Sequence, residues 1–228
     1  MPLSPRKIGH VMRFLFFVLL GCACLLAADD RVKVDNDSVR VLKVVDKPHV
    51  KSALHRHEAN RVMIYLDPGD ITLTYEDGRT DEQHWKAGEV AWSPADGLHT
   101  SENVGVAPIR IVEIELKKPA PATPAVRRAE LDPVATDPTH NVLLFENGQV
   151  RVFRGWHEAG EKEPMHEHTG AGRVAVPLTD FNVSVKLVDG TTTEQHRLAG
   201  DAFWSGPVTH EVTNLSPNRF EVVVVEVK

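Results

Sequence analysis

Cysteine is all but missing from this chain. The two present, Cys22 and Cys24, lie in the N-terminal segment, so a mature chain starting near Asp29 would have none. That excludes a disulfide framework and any paired-cysteine metal or redox motif. The sequence also lacks a nucleophile elbow, a phosphate loop and a dinucleotide fingerprint. No amphipathic helix of normal length can be read from the pattern. No basic stripe is available to neutralise phosphates, which argues against nucleic acid as a partner. Metal-dependent chemistry and plain ligand binding survive these exclusions.

The first residues look like an export signal. Arg6, Lys7 and Arg13 precede an uncharged apolar stretch, Phe14 to Ala28. It is too short for a comfortable transmembrane helix and ends in small residues before Asp29. We expect a signal peptide over residues 1–28, cut near Ala27 or Ala28, and a periplasmic or secreted product with no membrane span. The alternative is a lipoprotein, with Leu19-Leu20-Gly21 leading to a lipid anchor on Cys22. Losing this segment removes three basic and no acidic residues, taking the formal charge from −6 to −9.

With 228 residues the chain has room for one large domain or two of about 100 residues. Internal repetition decides for two. Asn36-Asp37-Ser38-Val39-Arg40-Val41 returns as Asn147-Gly148-Gln149-Val150-Arg151-Val152, 111 residues later. His55, His57, His99 and Asn103 return at the same offset as His166, His168, His210 and Asn214. Gln83-His84 and Ala87-Gly88 return at 112 as Gln195-His196 and Ala199-Gly200. The two copies span residues 29–117 (copy 1) and 131–228 (copy 2), joined by a Pro/Ala linker over 118–130.

Each copy reads as strands. Ile71 to Tyr75 and Asn182 to Val188 alternate with period two, and both run into an Asp-Gly turn, the signature of a hairpin. Val62 to Leu66 reads as a buried apolar strand, and Ile109 to Leu116 and Phe220 to Val227 close the copies as strands rich in β-branched residues.

The most informative residues are histidines. His55 and His57, like His166 and His168, stand two apart, so an extended strand puts each pair on one face. A third histidine follows each pair by 42 residues, His99 and His210. Three imidazoles brought together suit a divalent transition metal.

His-x-His on one strand, followed by Gly…Pro…His-x-x-x-Asn on a later hairpin, resembles the cupin family. The second motif reads Gly88…Pro94…His99…Asn103 in copy 1 and Gly200…Pro207…His210…Asn214 in copy 2. The resemblance covers residues 31–228 and implies an all-β fold of two tandem cupin (jelly-roll-like) β-barrels. By analogy it also implies a metal and a small ligand inside each barrel, and pairing through the sheets, either into a homodimer or between the two copies as a pseudo-dimer. One departure stands out. Where the family's first motif supplies a Glu ligand, this chain has Arg61 and Arg173.

The resulting expectation is a bicupin that binds a divalent ion (Fe, Mn, Ni, Cu or Zn) through His55, His57, His99, His166, His168 and His210. Arg61 and Arg173 would hold a small anionic molecule, since guanidinium binds carboxylate as a planar fork. Family analogy points to a dioxygenase-like oxidoreductase. The alternative is a metal-free binding or structural bicupin without catalysis. If only one triad takes metal, the sequence favours copy 1, because the insert Thr169-Gly170-Ala171-Gly172 can shift Arg173. The remaining repeated residues have plainer readings: His84 and His196 at the surface, Trp92 and Trp204 in a core or cavity wall, and Gly88 and Gly200 at turns. Asn103 and Asn214 read as turn-fixing, and Glu58 and Glu167 point away from the triads.

Overall fold

The computed structural model describes Met1 and residues 29–228. The expected signal peptide, its cleavage point and Cys22 lie outside the described residues. No helix among the described residues is long and apolar enough to cross a membrane.

Copy 1 holds nine strands: β1 (Val32–Asp35), β2 (Val39–Asp46), β3 (His55–His57), β4 (Arg61–Tyr65), β5 (Gly69–Tyr75), β6 (Thr80–Trp85), β7 (Glu89–Ser93), β8 (Asp96–Asn103) and β9 (Ile109–Leu116). After the linker comes a four-residue helix, α1 (Pro133–Thr136). Asp132 caps it by accepting from the N–H groups of Val134 and Ala135, and Pro133 opens it where no N–H is needed. Copy 2 repeats the nine strands: β10 (Asn141–Glu146), β11 (Val150–His157), β12 (Lys162–His168), β13 (Gly172–Pro177), β14 (Phe181–Leu187), β15 (Thr192–Arg197), β16 (Phe203–Ser205), β17 (Val208–Asn214) and β18 (Phe220–Val227).

Both copies form the same two antiparallel sheets. In copy 1 the orders are β1-β2-β9-β4-β7 and β3-β8-β5-β6; in copy 2 they are β10-β11-β18-β13-β16 and β12-β17-β14-β15. The Asp-Gly hairpins join β5 to β6 and β14 to β15, with Gly78 and Gly190 at φ +85° and +86°, a region open mainly to glycine. The sheets of a copy face each other without closing into one hydrogen-bonded cylinder. Each copy is a jelly-roll sandwich rather than a closed barrel, because both sheets keep edge strands and the space between them stays open as a cavity.

Strand alternation explains the core. On one face of the five-stranded sheets lie Val41, Val62 and Ile114 of copy 1, and Val152, Val174 and Val225 of copy 2. All are fully buried and belong to a single cluster. The two five-stranded sheets therefore pack back to back; β18 carries the unbroken run Val222 to Val225, while β9 intersperses Arg110, Glu113 and Glu115 among its buried Ile, Val and Leu residues. Each such buried Val or Ile contributes about 1.5–3 kcal/mol. Asn60 Nδ2 donates to Gln149 Oε1 across this junction (2.6 Å), and Arg154 donates to the carbonyl of Gly88. Trp92 and Trp204 pack against the same cluster. Residues of opposite parity, including Arg61, Glu113, Arg173 and Glu226, turn inward toward the four-stranded sheets and their histidines.

Candidate functional site

Each triad forms where a short strand lies beside a hairpin strand. His55 pairs with His99 across β3 and β8, and His166 pairs with His210 across β12 and β17. His57 and His168 follow two residues later on the same face. Ring centroids are 4.6–5.4 Å apart in copy 1 and 4.6–5.3 Å in copy 2. Within each triad one ring nitrogen per residue falls within 4.8 Å of the others. A bulge between Glu163 and His166 holds Pro164, which has no N–H to offer the ladder, and turns its carbonyl toward His166.

The two triads differ in how their rings are held. In copy 2, Nδ1 of His166 bonds the carbonyl of Pro164 (2.8 Å) and Nδ1 of His168 bonds Oε1 of Glu226 (2.8 Å). Both carbonyl and carboxylate are acceptors, so each Nδ1 carries the proton and each Nε2 presents a lone pair. Those two Nε2 atoms stand 3.1 Å apart, and Nε2 of His210 is buried without a hydrogen-bond partner. Three inward nitrogens with too few protons among them are what a divalent cation satisfies. Burial, helped by the charge of Arg173 and by neighbouring histidines, pushes His168 well below the ordinary histidine range. Burial with His166 and Arg173 takes His210 to about 3. Both rings stay unprotonated, as ligands must. The residues of copy 2 fit a metal.

Copy 1 fits it less well. Nδ1 of His55 and of His99 bond the carbonyls of Ala53 and Gly97, which frees their Nε2 atoms. Nε2 of His57, however, accepts from the Arg61 guanidinium at 2.9 Å. Burial, then Arg61, depresses His57 to about 3. Arg61 also pairs with Glu113 (3.2 Å) and donates to Oγ of Ser93 (2.8 Å).

Arg173 is freer. It makes one long bond, 3.5 Å to the carbonyl of Gly206, and no ion pair among the described residues. Val224 occupies the position that Glu113 holds in copy 1. Burial pulls Arg173 down to about 10 against the pull of Glu226 and Glu163. It lines the copy 2 cavity together with the three histidines.

The cavities differ in size, about 550 Å³ in copy 1 and about 100 Å³ in copy 2. Phenylalanine does the filling: Phe181 and Phe203 stand where copy 1 has Gly69 and Ala91. In copy 1 the wall instead carries a stacked Tyr65–Trp85 pair, 3.9 Å between centroids.

Residues that the sequence did not single out support the copy 2 triad. Glu226 sits between Arg151 and Arg173 on neighbouring strands, and its Oε2 lies 3.5 Å from Arg151, which also donates to Asp132 (2.9 Å). Glu163 takes a bond from Asn141 (2.9 Å) and lies 3.6 Å from Nδ1 of His166. Burial alone would raise Glu163, but His166, His157 and Asn141 outweigh it and hold it down to about 2. Arg151 and Glu226 repeat Arg40 and Glu115 at the 111-residue offset. Charged residues recurring inside apolar strands were the signal for them.

The plainer readings match what the side chains do. His84 and His196 are exposed, as is Glu58, and Glu167 turns outward to pair with Arg128. Gly88 and Gly200 take φ +76° and +78° at matching turns. Asn103 and Asn214 are buried and stitch loop backbone: Asn214 Nδ2 donates to the carbonyls of His157, Glu158 and Asn218.

No protein-family model matches the chain, and no curated protein matches it. Solved structures do. AerE from Microcystis aeruginosa superposes with a TM-score of 0.59 at 14% identity, over 85% of this chain and 88% of that one. Oxalate decarboxylase from Bacillus subtilis gives 0.59 at 12% identity, over 83% and 68%. Salicylate 1,2-dioxygenase from Pseudaminobacter salicylatoxidans gives 0.56 at 12% identity, over 83% and 71%. At these identities the likeness concerns the fold, and with the repeated motifs and the paired sandwiches it leads to one conclusion: the chain has the cupin fold in its two-copy, bicupin form.

Proposed function

We propose that copy 2 holds a divalent transition ion through His166, His168 and His210 and binds a small carboxylic acid between that ion and Arg173. The observation that carries this reading is the buried set of converging Nε2 atoms, each ring of the His-x-His pair anchored at Nδ1, beside a guanidinium with no ion-pair partner among the described residues. When bound, the ion supplies Lewis acidity and open positions for oxygen or water. The protein supplies the rest. Arg173 orients the acid by a planar fork. An anion between guanidinium and cation offsets charge that would be costly to bury alone. Phe181, Phe203 and Phe220 restrict the cavity to an acid of a few heavy atoms and keep water out. Oxalate and salicylate, named for two proteins of this fold, are both carboxylates. An oxidoreductase of the dioxygenase kind, exported from the cytoplasm, is the activity we assign.

Copy 1 carries a second reading. With Arg61 on Nε2 of His57 and a cavity of about 550 Å³, it serves as a metal-free compartment for a larger ligand.

The test is calorimetric titration of metal-loaded protein with a panel of two- to four-carbon carboxylic acids. Arg173→Gln should weaken the best binder by tenfold or more and leave the metal content unchanged. Equal binding by the variant contradicts the assignment.

A further inference from the structure

Copy 2 carries a second group of ligating side chains outside the histidine triad. Asp137 follows α1, His140 precedes β10 and His157 ends β11. One ligating atom of each lies within 4.8 Å of the others. Nδ1 of His140 is 2.9 and 3.0 Å from the two carboxylate oxygens of Asp137, a hydrogen bond that holds the two ligating groups side by side. The independent observation is His157. It is 2% exposed, and neither of its ring nitrogens has a hydrogen-bond partner. Its ring centroid lies 5.0 Å from that of His140. The carboxylate of Glu163 stands 3.7 Å from Nε2, too far for a hydrogen bond though near enough for the two groups to interact by charge. A buried imidazole with two orphaned nitrogens is rare, and each such group calls for an explanation.

We propose that Asp137, His140 and His157 form a divalent-cation site of the zinc class, separate from the triad. An ion here replaces the proton that His140 shares with Asp137 and satisfies a nitrogen of His157. Glu161, 3.5 Å from Nε2 of His140 on the ring's other side, is placed to accept from that N–H and fix the ring. The donor set of two nitrogens and a carboxylate oxygen, with a position left for water, suits zinc. The site is particular to copy 2. At the matching positions copy 1 has Asp29 and Asp46 in place of His140 and His157. Its consequence is mechanical, since the ion ties the segment leaving the linker to β11.

The experiment is equilibrium dialysis of the full chain, purified without a histidine tag, against Zn²⁺, with zinc counted by elemental mass spectrometry and thermal unfolding followed in parallel. His140→Ala and Asp137→Asn should each bind one zinc fewer than the wild type, and zinc should raise their Tm by several degrees less. Asp137→Asn keeps the side-chain shape and decides the matter if His140→Ala does not fold. Zinc content equal to wild type in the folded variants overturns the proposal. His166→Ala separates the two readings: it removes only what the triad binds and leaves the His140-dependent zinc in place.

Discussion

His166 and His168 turn their Nε2 atoms toward one another at 3.1 Å, and no proton is left to share between them because each Nδ1 already donates outward. A cation between the rings would satisfy both lone pairs. Glu226, which fixes His168, is therefore part of the site although it touches no ligand position. Glu226→Gln should lower metal affinity by about 10- to 100-fold, measured by competition with a chromophoric chelator. An unchanged affinity would show that the carboxylate does not orient the ring.

The pair Arg61–Glu113 is what distinguishes copy 1. Removing both charges uncovers Nε2 of His57 without stranding a buried carboxylate; valine is the copy 2 residue at the Glu113 position, whereas the counterpart of Arg61 is still an arginine, Arg173. The double variant Arg61→Met/Glu113→Val should bind one more equivalent of metal than the wild type. If elemental analysis finds no gain, the guanidinium is not what keeps metal out of copy 1.

Cavity size follows from two phenylalanines. Phe203→Ala restores the side chain of Ala91 and should let copy 2 accept a carboxylic acid with an aromatic ring. It should also cost about 2–3 kcal/mol of stability, somewhat under the value for a fully buried ring. Calorimetric titration and urea unfolding read the two effects. A stable variant that still rejects the larger acid would place the size limit elsewhere.

Stability of the metal-free protein should depend on pH through the triads. His57 and His210 are held near 3 and His168 well below its ordinary range, so the folded state refuses protons that the unfolded chain accepts below about 6.5. Stability is then fully present above pH 6.5 and lost as pH falls toward 3, by about 1.4 kcal/mol per pH unit for each of the buried imidazoles His168 and His210 and by less for half-buried His57, which solvent screens. Glu163, held near 2, adds a loss of the same sign that begins only below about 4.5. Urea unfolding in the presence of a chelator at pH 7.5, 6.5 and 5.5 measures the slope. His210→Ala should flatten it by one imidazole's share, and a level profile in the wild type would contradict the buried, unprotonated state of these rings.

Much of this was legible in the sequence, for a physical reason. Period-two alternation and Asp-Gly turns are local signals, and the duplication made each of them count twice. The triads were legible because two histidines on one strand face need no tertiary knowledge, and the repeated third histidine supplied the rest. What was not legible depends on packing. Sheet closure is decided by edge strands, and the sandwich stays open. The side of Arg61 that meets His57, and the lack of an equivalent contact for Arg173, depends on Glu113 versus Val224, 52 and 51 residues away in the chain. The sequence pointed to copy 1 as the better metal site because of the glycine-rich insert before Arg173, whereas the ring hydrogen bonds favour copy 2. His157 was hidden because an isolated histidine at a strand end carries no pattern of its own.

The most direct measurement is the metal content of three tag-free proteins loaded in the same excess of divalent metal: wild type, His168→Ala and His57→Ala. Our account predicts that His168→Ala carries one equivalent less than the wild type and that His57→Ala carries as much as the wild type. Equal content in wild type and a folded His168→Ala would contradict a metal centre in copy 2.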